Sequence, residues 1–165
     1  MTPLGHASIS YLLSRVTTRL SLAALLLGGL LPDIDYLFVF APWFNVIHRA
    51  VTHNLLFVFL TAAIGFFITP KDRRISIFIG LALGGVFHLF ADSIIDSNPS
   101  NGIGVAIFWP FHSGYYFSPL NLVNLYSSID LRQEHNISIR GVLLSIPWET
   151  PLYVGAALLL WKRRH

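Results

Sequence analysis

The sequence predicts an all-α protein: a multi-pass transmembrane helical bundle with one long structured loop, built as a single domain over residues 1–165. Three observations carry that expectation. Hydrophobic residues make up 54% of the chain and charged residues 12%. Ordinary globular domains carry about 25% charged residues, so this chain has too little polar side chain to clothe a water-facing surface. The apolar residues fall into runs punctuated by proline, glycine and basic clusters, as membrane helices do. The basic residues abut those runs as Lys71-Asp72-Arg73-Arg74 and Lys162-Arg163-Arg164, the placement of cytoplasmic loops under the positive-inside rule.

The net charge of +3 is therefore clustered rather than spread, which argues against a nucleic-acid partner. There is no cysteine, so disulfides and thiolate ligands are excluded and any metal must be held by histidine and carboxylate. Residues 20–31 resemble the apolar core of a signal peptide behind Arg15 and Arg19. Pro32-Asp33-Ile34-Asp35 follows directly, however, and no small-x-small cleavage site precedes it. A retained membrane segment fits better.

In order along the chain, residues 7–17 read as a short helix and 20–31 as a second, with Thr17-Thr18 as the break or N-cap between them. Pro32 ends the second helix, because proline cannot continue the backbone ladder. Residues 36–47, cut by Pro42, read as a re-entrant or interfacial piece. Residues 54–69 form a helix ending at Pro70. Residues 75–96 are long enough to span and carry Gly80 and Gly84 at the small-xxx-small spacing that favours close packing in lipid. Residues 97–128 read as the long loop, 129–140 as a polar turn or short helix, and 141–161 as a final span containing Pro147 and Pro151.

Ionisable residues next to apolar runs are costly, so their recurrence suggests a function. His88 and Asp92 stand at i and i+4, on one helix face, able to reach a common ion; a hydrogen-bonded buried pair is the plainer alternative. Asp33 and Asp35 are two apart, which lets an extended segment aim both to one side, or they belong to an ordinary Pro-Asp turn. His48 and His53 lie about 140° apart on an ideal helix, so both serve one ion only if the segment is unwound. Arg49 suits a phosphate or carboxylate through two parallel hydrogen bonds, or it snorkels to headgroups.

With both basic clusters inside, the 54–69 run passes inward and the 75–96 run returns outward. His53, His88, Asp92, Asp33 and Asp35 then share the outer side, and a hairpin of the first two helices adds His6. These separate stretches meet at one level.

The order of His6, then Leu31-Pro32-Asp33-Ile34-Asp35, His48-Arg49-Ala50-Val51-Thr52-His53, His88-Leu89-Phe90-Ala91-Asp92 and Trp109-Pro110-Phe111 resembles the YdjM-type family of membrane-bound metal-dependent hydrolases. The likeness covers roughly residues 3–112. Ala50 stands where that family commonly has glycine, and Asn54 where it has serine. The resemblance implies a multi-pass protein of a prokaryotic cell membrane with a His/Asp metal centre.

These readings define an expected enzyme: a hydrolase of an ester, of phosphoester or lipid-like class, acting at the non-cytoplasmic face with membrane lipid as partner. One or two divalent ions, zinc or alternatively manganese, would be held by His6, Asp33, Asp35, His53, His88 and Asp92. His48 would be general acid or base and Arg49 the phosphate clamp. The alternative is a metal-binding transporter using the same polar cluster, whose site should lie near the bilayer midplane.

Overall fold

The computed structural model describes residues 1–44, 48, 50–95, 105–112 and 139–163. Every regular element of any length among them is helical. Helix α1 spans Pro3–Val16, four residues longer at its start than the apolar pattern suggests. Thr2 caps it, its Oγ1 accepting from the Gly5 amide at 3.1 Å, and proline stands in the first turn, where a missing amide hydrogen costs nothing. Thr17 closes α1 through its amide to the Leu13 carbonyl. The N-cap of the second helix is thus Ser21, not Thr17-Thr18, and α2 runs Leu22–Leu30.

Pro32 does end α2, but the chain beyond it is not extended. Leu31–Phe38 forms a 3₁₀ helix. At three residues per turn, positions two apart diverge by about 120° around the axis. Asp33 and Asp35 therefore face different ways, which corrects the expectation that both aim to one side.

Helix α3 covers Leu55–Ile68, capped by Asn54 Oδ1 accepting from the Phe57 amide at 2.8 Å. Helix α4 covers Arg74–Ile95 and α5 covers Ile139–Lys162, with Pro147 and Pro151 inside it. Of the expected loop, residues 105–112 are described. Val105 is buried against Val58 and Leu89, and the Leu55 amide donates to the Ile107 carbonyl at 3.0 Å, so this piece folds back over the start of α3. Asp96, residues 97–104 and 113–138, and His165 lie outside the described residues.

Small residues set how closely the helices approach. A Cβ on Gly84 would stand 2.3 Å from the Leu25 carbonyl oxygen and 2.7 Å from the Gly29 nitrogen; one on Gly28 would stand 2.2 Å from the Leu81 carbonyl oxygen. Helices α2 and α4 thus pack backbone against backbone. Gly80 faces Ala24 in the same seam, while Gly85 faces Val58 of α3. Ala24, Ala62, Leu81 and Ala82 fill the core among α2, α3 and α4. Helix α5 is joined to the start of α1 by Glu149, which is fully buried and accepts from the Thr2 amide at 2.8 Å, from Thr2 Oγ1 and from Tyr153 Oη.

Large apolar side chains face outward along α3, with Phe67 and Ile68 each 78% exposed. Such a surface is unfavourable in water. Among the described residues, α4 is the one helix long and apolar enough to cross a membrane; α3 is apolar but shorter.

Candidate metal centre

Three elements and one turn deliver the ionisable residues to a single point. His6 comes from the first turn of α1 and Asp33 from the 3₁₀ helix. His88 and Asp92 project from one face of α4. His53 lies in the irregular turn 51–54, which is held by Asn54 Nδ2 donating to the Ala50 carbonyl at 2.5 Å and the Val51 carbonyl at 2.9 Å. The segment is unwound where an ideal helix would have pointed His48 and His53 apart.

The Asp92 carboxylate sits at the middle. His6 Nε2 is 3.2 Å from its Oδ1, and His53 Nε2 and His88 Nε2 are 3.5 and 3.4 Å from its Oδ2. Asp33 Oδ1 is 3.4 Å from His53 Nε2 and 3.8 Å from His88 Nε2, while Asp33 Oδ2 is 3.8 Å from His6 Nε2. The His6 and His88 rings stack at 3.6 Å between centroids. The amino group of Met1 also lies 2.8 Å from Asp92 Oδ1. All three histidines and Asp92 are at most 1% exposed.

The separations of 3.2–3.5 Å are close to what an ion would impose, while those of 3.8 Å from Asp33 to His6 and His88 are longer. Zinc binds nitrogen and oxygen at about 2.0–2.2 Å, which places tetrahedral neighbours roughly 3.3–3.6 Å apart. No hydrogen bond among the described residues satisfies the buried Nε2 of His6, His53 or His88, or Oδ2 of Asp33. Orphaned polar atoms in such a place are expensive. A cation among them would satisfy all of them together, so the donor set fits a divalent metal.

The far side of the His88 ring supports the same reading, whereas the buried Nδ1 of His6 has no hydrogen-bond partner among the described residues. His88 Nδ1 is 2.8 Å from the Gly29 carbonyl. A carbonyl only accepts, so Nδ1 carries the hydrogen and Nε2 presents its lone pair to the cluster. Gly29 is among the last residues of α2, whose final carbonyls lack partners within the helix. The helix end thereby orients a ligand.

Electrostatics agree. Burial alone would raise the Asp33 carboxyl, but the imidazoles of His53, His88 and His6 outweigh it and hold the group below the usual carboxylate range. Burial also disfavours a charged His53, yet Asp33 and Asp92 more than offset it and move the ring above its ordinary value. Burial and the neighbouring His88 hold His6 down, to about 4, so the carboxylates favour positive charge at His53 and not at His6.

Asp35 and His48 lie beside this centre, in a group with His53 whose ligand atoms fall within 4.8 Å of one another. Asp35 Oδ2 lies 2.8 Å from His48 Nδ1 and accepts from Thr52 Oγ1 at 3.0 Å. His48 stacks on Phe44 at 4.7 Å and meets the edge of Tyr36 at 5.1 Å. Its centroid is 5.0 Å from that of His53.

The structure thus brings His6, Asp33, His53, His88 and Asp92 together, and sets Asp35 on the Nδ1 side of His48. Arg49 lies outside the described residues, as do Glu134 and His135. His112 is exposed on the surface. Sequence reasoning passed over Thr52, Gly29 and the Met1 amino group. A hydroxyl adjacent to a candidate ligand was a usable signal for Thr52; the carbonyl of Gly29 had none.

The YdjM inner membrane protein family matches residues 1–163. The chain is also similar to the inner membrane protein YbcI of Escherichia coli K12, with 27% identity over 153 residues, covering 90% of this chain and 87% of that protein. No solved structure matches it.

Proposed function

The chain belongs to the YdjM inner membrane protein family, and from that footing we propose that it is a multi-pass membrane hydrolase acting on an ester of phosphoester or lipid-like class. The observation that carries this reading is the convergence of three unsatisfied imidazole nitrogens on two carboxylates beside a fourth, separately oriented histidine. His6, Asp33, His53, His88 and Asp92 would hold one divalent ion, zinc with manganese as the alternative. Such an ion, when bound, acidifies a water and offsets charge on the attacked group. The apolar faces of α3 and α4 would contact lipid, with the centre towards the non-cytoplasmic face.

His48 is the general acid or base. Asp35 takes its Nδ1 hydrogen, which leaves Nε2 basic at the opposite end of the ring. Asp35, offered by the sequence as a ligand, serves in this reading to orient His48. Phe44 and Tyr36 keep the ring from turning and screen it from water. Arg49 would clamp a substrate phosphate through two parallel hydrogen bonds.

The test uses the detergent-purified chain, zinc-loaded and chelator-stripped, with a panel of phosphomonoesters and phospholipids. Turnover should require the metal. His48→Ala should keep its zinc and lose roughly 10²–10⁴-fold in rate, the usual weight of general acid–base catalysis. Turnover unaffected by stripping, or none on any substrate at full zinc content, would overturn the hydrolase reading.

A further inference from the structure

We propose that Thr52 is a positioning residue: it fixes the tautomer of His53 and, through Asp35, ties that ring to His48. The proposal rests on the metal-centre reading above and gives a role to Thr52, which the His48–His53 motif contains but assigns none.

Thr52 Oγ1 lies 3.0 Å from Asp35 Oδ2 and 3.0 Å from His53 Nδ1. It has one hydrogen to donate. An ionised carboxylate only accepts, so that hydrogen goes to Asp35. Facing His53, the hydroxyl is left as an acceptor for a hydrogen on Nδ1. Nε2 faces Asp33 Oδ1 and Asp92 Oδ2, 3.4 and 3.5 Å away, whose charges favour a hydrogen on it in the absence of an ion. Thr52 holds the other hydrogen on Nδ1, so an ion displaces only the one on Nε2 and meets the tautomer it needs.

Reversing the hydroxyl would aim an oxygen lone pair at the Asp35 carboxylate and place the ring hydrogen on Nε2, inside the cluster. The buried setting makes that arrangement costly, since Thr52 is 7% exposed and Asp35 4%. Asp35 Oδ2 also takes the Nδ1 hydrogen of His48. One carboxylate oxygen therefore sets the polarity of two rings, one directly and one through Thr52. His88 achieves the same end with the Gly29 carbonyl. Partners of ligating histidines generally change metal affinity 10–100-fold when removed.

The experiment compares the full chain with Thr52→Val, which removes the hydroxyl, and Thr52→Ser, which keeps it. Zinc affinity is measured by chelator competition. The hydrogen bond from His53 Nδ1 to the hydroxyl is read from the Nδ1 proton shift in zinc-loaded protein. Thr52→Val should bind zinc 10–100-fold more weakly and move that shift to the value of an unbonded ring N–H, while Thr52→Ser restores both readouts. Unchanged affinity or an unchanged Nδ1 proton shift in Thr52→Val would overturn the relay. So would Thr52→Ser behaving like Thr52→Val with both variants folded, because shape rather than the hydroxyl would then decide. Asp92→Ala separates the levels. Zinc lost there but kept in Thr52→Val rejects the relay alone, whereas zinc kept in Asp92→Ala rejects the centre and the relay with it.

Discussion

Asp92→Ala is expected to abolish stoichiometric metal binding. The carboxylate is the shared element of the cluster: Oδ1 faces His6, and Oδ2 faces both His53 and His88. Without it, the three imidazoles keep only Asp33 to balance a dication, and a buried ion lacking its counter-charge is strongly disfavoured. The loss of affinity should exceed the roughly 10–100-fold that removal of an outer hydrogen-bond partner costs. Asp92→Asn keeps the shape and removes the charge, and should fail nearly as badly. Elemental analysis of purified protein, followed by chelator competition, reads both. Either variant retaining one equivalent of zinc at wild-type affinity would mean that the ion sits elsewhere.

Gly84→Ala should disrupt the fold strongly, and the centre should fail with it. The added methyl meets the Leu25 carbonyl oxygen at 2.3 Å, the Gly29 nitrogen at 2.7 Å and the Gly28 carbonyl carbon at 3.0 Å. All three are backbone atoms, so no side chain can swing aside and α2 must lift from α4. Overpacking of this kind costs about 1–3 kcal/mol, sometimes more. His88 stands one turn beyond Gly84, and its Nδ1 depends on the Gly29 carbonyl of the helix being pushed away. Zinc affinity should therefore fall together with the melting temperature in detergent. Gly155→Ala is the control, since a Cβ there would meet Leu12 Cδ2 at an ordinary 3.7 Å. Equal melting temperatures for the two variants would contradict the account of the seam.

Much of this architecture was legible because two signals point the same way. Long apolar runs gave α2, α3 and α4 within a few residues, and the Gly80-xxx-Gly84 spacing marked the face that α2 packs against. The i, i+4 spacing of His88 and Asp92 located one wall of the centre. Antiparallel α1 and α2 were enough to carry His6 to Asp33. What escaped the sequence was local backbone form. Nothing in Pro32-Asp33-Ile34-Asp35 distinguishes an extended exit from a 3₁₀ helix, yet that difference sends Asp33 to the three histidines and Asp35 to His48. Thr52 and the Gly29 carbonyl were hidden for a related reason. Their roles come from which hydrogen points where, and periodicity does not carry that information. The multi-pass expectation rested on composition. By length and apolarity α4 alone meets it among the described residues, and α5, the span read over 141–161, carries the buried Glu149 between its two prolines.

X-ray absorption at the zinc edge, on detergent-purified protein loaded with one equivalent, tests the metal centre most directly. The account predicts a nitrogen and oxygen first shell at about 2.0–2.2 Å, with the outer-shell scattering of about three imidazoles that weakens when His53 or His88 is replaced by alanine. A shell of oxygens with no imidazole signature, or one unchanged by those replacements, would contradict it.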